Sequence, residues 1–155
     1  KYVYIFFAMR LLLQKVSKAS VTVGSETVGQ IDKGYLLFLG ILRGDTSAQA
    51  ELLAEKITKV RLFDSEDGKI NDQSIIDIDG SILVVSQFTL AGRLEKGNRP
   101  DYSQSAPPED AKVLYEYFIR KLETLGVQKV ESGEFGAYMD VSLVNDGPVT
   151  LILER

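Results

Sequence analysis

Ser81-Ile82-Leu83-Val84-Val85-Ser86-Gln87-Phe88-Thr89-Leu90 changes character half-way along. Its first half is continuously apolar and β-branched, as a strand buried on both faces reads. Its second half is polar, so the same strand carries hydroxyl and amide groups from a core out to a rim. Tyr35-Leu36-Leu37-Phe38-Leu39-Gly40-Ile41-Leu42 is a second run of that kind. Between the two, Thr46 with Gln49 three residues on makes a capping signature. Leu52, Leu53, Ile57 and Val60 follow at helical spacing, which predicts a helix over about 47–60 with its apolar stripe on a sheet. Residues 64–71 are turn-rich.

Outward from this centre, Arg10 to Val16 reads as a strand and Ala19 to Val23 as a second short one, with a turn at Gly24 to Glu26. Residues 91–107 contain Gly92, Gly97, Pro100 and Pro107 among Arg93, Lys96 and Arg99, the signature of a long loop. A helix is predicted from Pro108-Glu109-Asp110 to Gly126, carrying Val113, Leu114, Tyr117, Phe118 and Leu122 on one side. Gln128 to Glu131, Ala137 to Val144 and Val149 to Glu154 read as strands, the last two joined by a turn at Asn145 to Gly147. About seven strands and two helices that do not alternate regularly predict an α+β fold. The expectation is mostly antiparallel sheet in a barrel-like core flanked by two helices.

A chain of 155 residues suits one core, so residues 9–155 are expected to form a single domain. The apolar run Tyr2 to Met9 is interrupted by Arg10 before it reaches the length of a membrane span, and it lacks the layout of a signal peptide. Met9-Arg10 resembles a natural start, which leaves residues 1–8 as an upstream extension or expression remnant. The chain has 45% hydrophobic and 26% charged residues, the balance of a soluble globular protein. It contains neither Cys nor His, which excludes disulfides, thiolate nucleophiles, a Ser-His-Asp triad and zinc held by either residue. Catalysis here must run on carboxylates, Lys, hydroxyls, backbone groups or the substrate. A net charge of −4 argues against a broad nucleic-acid coat but not against gripping one nucleic-acid end.

Taken singly, the candidate residues are bland. Ser86 and Thr89 most often cap a strand end, Gly147-Pro148 is most often a plain turn, and Lys96-Gly97-Asn98-Arg99-Pro100 is most often a solvated basic loop. Phe135-Gly136-Ala137-Tyr138-Met139 reads as a glycine bend into a strand. Together, the order and wording of Ser86 to Leu90, Lys96 to Pro100, Phe135 to Ala137 and Asn145-Asp146-Gly147-Pro148-Val149-Thr150 resemble the D-aminoacyl-tRNA deacylase family, from Met9 to Arg155.

The resemblance implies a homodimer acting on the 3′ end of D-aminoacyl-tRNA. With no targeting signal and that substrate the expected location is cytoplasmic; no cofactor is expected, and without His or Cys no metal requirement is expected either. The homodimer's sites would lie at the subunit interface, where the Ser86, Gln87, Phe88 and Thr89 motif of one chain meets a cis Gly147-Pro148 of the other. Backbone N–H groups near Phe88 and Thr89 would bind the oxyanion. Thr89 is either a positioning residue or, with an adjacent base, a nucleophile. Gly147 and Pro148, supported by Asn145 and Lys15, would exclude L side chains, while achiral glycine, including glycine mischarged on tRNA(Ala), would pass in part. Phe135, Gly136, Ala137 and Met139 would hold the terminal adenosine. Many relatives carry Arg where this chain has Lys15, and Lys cannot make a planar fork. The competing expectations are a nucleic-acid-binding dimer without catalysis and a scaffold dimer. The first is disfavoured by the acidic balance and by the chain's ending at Arg155, directly after the last strand.

Overall fold

The computed structural model describes residues 9–155, so the expectation for residues 1–8 lies outside the described residues. In chain order the strands are β1 (Arg10–Val23), β2 (Glu26–Ile31), β3 (Gly34–Gly40), β4 (Arg61–Phe63), β5 (Gln73–Ser74), β6 (Ser81–Ser86), β7 (Lys129–Ser132) and β8 (Asp140–Glu154). Helix α1 (Ser47–Lys59) follows β3, and helix α2 (Pro108–Thr124) precedes β7. The main sheet runs β2-β1-β3-β6-β7, with β8 on the other side of β1. Pairs with β1 are antiparallel, whereas β3 with β6 and β6 with β7 are parallel. The sheet curls until its two ends meet: a Cβ on Gly29 of β2 would lie 2.6 Å from the Ser132 carbonyl of β7. This is the α+β, barrel-like core with two flanking helices expected from the sequence.

Both faces of the central strands are buried, which is why their sequences do not alternate. Leu11, Leu13, Tyr35, Leu37, Leu39, Ile82 and Val84 face the helices and meet Leu53, Ile57, Phe118 and Leu122 there. Val16, Ala19, Val21, Ile31, Leu36, Leu83 and Val85 fill the inside of the curled sheet. The capping box of Thr46 and Gln49 starts α1 as expected. The buried stripes are Ala50, Leu53, Ala54 and Ile57 on α1 and Ala111, Tyr115, Phe118 and Leu122 on α2. Leu52 and Val113, read from spacing as inward, point out at 52% and 63% exposure. Ala50, Ala54 and Ala111 are buried instead, so the stripe is rotated from the one the largest side chains suggest.

Three boundaries differ from the sequence reading. The two short strands at 10–16 and 19–23 are one strand, β1, kinked where Ser17 is extra relative to β8. Residues 26–31 form β2, unheralded because only Gly29 and Ile31 face inward. Likewise, residues 137–144 and 149–154 are not two strands of a hairpin: β8 continues through, antiparallel to β1 on both sides. Between the pairs Gln14 with Thr150 and Val16 with Asn145, β1 advances two residues while β8 advances five. The surplus loops out as Asp146-Gly147-Pro148, a wide bulge, which is where a sheet tolerates a proline that cannot donate.

Candidate active site

Strand β6 stops at Ser86, four residues short of the Ser81–Leu90 strand read from the sequence, and Phe88–Ala91 form a single 3-10 turn. The turn is pinned by backbone. Gln87 N–H donates to Leu39 O at 2.8 Å, Leu90 N–H to Gln87 O at 3.1 Å and Gly92 N–H to Thr89 O at 2.9 Å. Gly40 lies directly beneath: a Cβ there would stand 2.8 Å from Leu90 Cβ and 3.0 Å from Gln87 O. From the sheet, Arg10 Nη1 donates to Leu90 O at 2.8 Å, and its Nε lies 3.3 Å from Glu154 Oε1. The first N–H groups of such a turn have no acceptor within it, so those at Phe88 and Thr89 are available to an incoming oxygen.

Ser86, Gln87 and Thr89 are half-buried and Phe88 is 55% exposed, so the turn sits at an open rim. The Gln87 side-chain amide donates to Thr89 Oγ1. An amide is no base, and Thr89 has no carboxylate or ammonium partner among the described residues. The Thr89 hydroxyl therefore accepts from Gln87 and keeps its own proton to donate outward. Ionisable groups with shifted pKa lie elsewhere: burial pushes the Tyr115 phenol, which donates to Val84 O at 3.0 Å, up to about 12, and burial raises the Tyr35 phenol too.

The chain leaving β7 borders this rim. Ser132 pairs with Val84 in parallel register, so residues 133–139 emerge at the same end of the sheet as Ser86. Phe135 is half-buried against the Tyr115 ring, centroids 5.7 Å apart, and Gly136 makes the bend at φ +79°. Ala137 N–H closes that bend on Glu134 O at 3.2 Å. The Met139 sulfur occupies the space where Gly133 has no side chain.

The Gly147-Pro148 bond is cis, as expected, and the bulge around it is held by side chains. Asn145 Nδ2 donates to Lys15 O at 3.0 Å and Val149 O at 3.2 Å. Lys15 Nζ lies 3.5 Å from Asp146 Oδ2 and 5.0 Å above the centroid of Phe63. The Phe63 ring is fully buried and stacks on Tyr35 at 5.2 Å. Lys15 thus has a seat that no Arg fork is needed to fill. Phe63 and Asp146 were missed by the sequence reading; an aromatic closing the short strand after α1 was the only signal for Phe63.

Ser86 and Gly147-Pro148 do not meet within one chain. Ser86 shares a level with Leu39, Leu11 and Leu153, whereas the bulge lies at the level of Lys15 and Tyr35, three strand spacings across. Strand geometry puts the two roughly 15–20 Å apart.

The D-Tyr-tRNA(Tyr) deacylase family profile matches residues 12–154. The chain belongs to that family. A D-aminoacyl-tRNA deacylase of Thermosipho melanesiensis is 53% identical over 146 residues, covering 94% of this chain and 97% of the relative. That of Halalkalibacterium halodurans is also 53% identical, covering 94% and 99%. Among solved structures, a c-Myc DNA unwinding element binding protein superposes with a TM-score of 0.89 at 41% identity, covering 94% of this chain and 98% of that one. A probable eukaryotic D-amino acid tRNA deacylase, at 20% identity and a TM-score of 0.83, shares the fold. Like its D-aminoacyl-tRNA deacylase relatives of about 50% identity, the chain is a hydrolase acting on aminoacyl-tRNA, and no helix among the described residues is long and apolar enough to cross a membrane.

Proposed function

We propose that this protein cleaves the ester between a D-amino acid and the terminal ribose of tRNA, in the cytoplasm, with residues 9–155 as one catalytic unit. The observation that carries the reading is the backbone-pinned turn whose Phe88 and Thr89 N–H groups have no hydrogen-bond partner among the described residues, in a chain that lacks His and Cys. Water, aided by the vicinal 2′-hydroxyl of the substrate, adds to the ester carbonyl. The carbonyl oxygen becomes an oxyanion held by the two N–H groups, an effect worth a few kcal/mol per donor. Collapse breaks the bond to the ribose oxygen, which takes a proton and leaves as tRNA. Thr89 positions the substrate rather than attacking it, because its neighbour is an amide. Ser86 and Gln87 hold that arrangement, and Phe135, Gly136, Ala137 and Met139 receive the adenosine beside it.

The active unit is a homodimer, in which the Gly147-Pro148 bulge of one subunit closes the Ser86–Thr89 turn of the other. Their separation within one chain supports this, as do Val144, Leu151 and Ile152 of β8, exposed at 46%, 41% and 73%. Gly147-Pro148, held by Asn145 and Lys15, rejects an L side chain by collision and leaves a D side chain free. Many D-amino acids are then accepted, and glycine, including glycine on tRNA(Ala), passes in part.

Hydrolysis of D-Tyr-tRNA but not L-Tyr-tRNA tests the activity. A gel shift without hydrolysis would favour nucleic-acid binding instead, and neither would leave a scaffold. An acyl group trapped on Thr89 would make it a nucleophile. For the shared site, an unselective Pro148→Ala protein is mixed with excess inactive Thr89→Ala protein. Mixed dimers with one intact composite site regain D-selectivity; subunits with self-contained sites do not.

A further inference from the structure

The basic loop after the turn is not absorbed by this chemistry, yet it is built rather than loose. Arg93 and Asp101 exchange backbone hydrogen bonds, both at 2.9 Å, and Ser103 N–H donates to Asp101 Oδ1 at 2.8 Å. The returning arm is fastened to the end of β3: Arg43 N–H donates to Gln104 O at 2.9 Å and Ala106 N–H to Ile41 O at 3.0 Å. These bonds carry Tyr102 against the turn. Its ring stands edge-to-face with Phe88, centroids 5.3 Å apart at 73°. A Cβ on Gly92 would lie 2.9 Å from the Tyr102 ring and equally 2.9 Å from Thr89 O, so ring and turn border the same point. The two rings remain 55% and 38% exposed, and an edge-to-face pair leaves at least one face of each ring uncovered.

The charge around them is uneven. Arg93 is ion-paired with Glu95, whereas Lys96 and Arg99 at the loop tip take part in no ion pair among the described residues. Two cations without an ion pair, in the loop that leads into the exposed aromatic pair and in a chain of net charge −4, suit a single-stranded nucleic acid, whose bases stack on rings while its phosphates meet Lys and Arg. They do not suit the aminoacyl group, which brings its own ammonium.

We propose that Tyr102 and Phe88, with Lys96 and Arg99, form a subsite for the nucleotides immediately 5′ of the terminal adenosine of the acceptor end. This rests on the deacylase reading above. It makes the loop a grip on single-stranded RNA, separate from the pocket for adenosine.

The test compares full-length D-Tyr-tRNA with D-tyrosyl-adenosine, which lacks those nucleotides, for wild type, Tyr102→Ala, Tyr102→Phe and the Lys96→Gln/Arg99→Gln double variant. Tyr102→Ala is expected to raise KM for the tRNA about tenfold and to leave KM and kcat for the adenosine ester unchanged. Tyr102→Phe keeps wild-type KM. The double variant weakens the salt dependence of tRNA binding by about 0.7 per lost phosphate contact. Equal losses on both substrates would show that the ring only supports the turn, and unchanged KM on both would remove the subsite. Dissociation of Tyr102→Ala dimers in ultracentrifugation would reassign the patch to a second copy of the chain. A wild type that cleaves neither substrate sinks the deacylase reading first.

Discussion

The two corners of the sheet that bear the family's motifs are held by different means. At the Ser86–Leu90 turn most restraints are backbone hydrogen bonds to Leu39, Gln87 and Thr89, with Gly40 as the floor and the side chains of Arg10 and Gln87 adding one bond each. At the Asn145–Thr150 bulge they are side chains: the Asn145 amide, the Lys15 ammonium and the Phe63 ring. A site that must bind developing charge gains from rigid backbone donors, which need no reorganisation during reaction. A filter that works by collision needs only to be kept from retreating, and a few side-chain contacts suffice. The first corner should therefore break through changes in main-chain packing, and the second through changes of individual side chains.

Gly40→Ala is expected to have the largest effect. Its methyl group meets Leu90 Cβ and Gln87 O, and relief requires the turn to move. A stability loss of about 1–3 kcal/mol in denaturant titration should accompany a fall in kcat of about 100-fold, as the N–H groups lose their aim. Wild-type kcat in a folded Gly40→Ala protein would show that the turn's position is not critical.

Next comes the bulge, where Lys15→Met removes both the ion pair and the contact with Phe63. D-ester hydrolysis should persist while the preference for D over L falls about tenfold, the weight of a partly desolvated cation–π contact. Lys15→Arg should retain the preference, and an unchanged preference in Lys15→Met would detach Lys15 from the filter. Arg10→Met tests whether side chains matter at the first corner as well. It loses the bond to Leu90 O but none of the backbone bonds, so kcat should drop only several-fold, about the effect of one ordinary, partly solvated hydrogen bond. A loss as large as that of Gly40→Ala would erase the contrast between the corners.

Glu51→Gln, remote from both, sets the baseline. The hydrogen bond from Lys121, 2.9 Å away, lowers the Glu51 carboxyl below its ordinary range and raises Lys121. A carboxyl depressed on folding stabilises above its unfolded pKa and loses that contribution as pH falls through the folded value. A raised Lys contributes below its unfolded pKa and loses it as pH rises through the folded one. Wild type should melt slightly above Glu51→Gln near neutral pH, and the gap should close below about pH 4. Deacylation should be unaffected.

Much of this was legible in the sequence where one residue's role repeats along an element. The two-sided burial of Tyr35 to Leu39 and Ile82 to Val85 follows from their unbroken apolar runs, and α1 from its capping box. Leu52 and Val113 misled because periodicity locates a stripe only to within a residue or so, and Ala50, Ala54 and Ala111 fix the actual contact. Strand β2 was hidden by Gly29, whose lack of a side chain lets the Ser132 carbonyl approach and the sheet close.

The motifs Ser86-Gln87-Phe88-Thr89 and Asn145-Asp146-Gly147-Pro148 were on the page from the start, and the sequence alone determined that each lies beside a strand and that no His or Cys could assist them. Only the tertiary structure decided that the first motif is a 3-10 turn rather than strand, that the second is a bulge in a continuing strand rather than a hairpin, and that the two stand three strand spacings apart in one sheet. The physical reason is that register and bulges are set by pairing with β1 and β3, partners distant in sequence, whereas composition and periodicity report only on a residue's near neighbours.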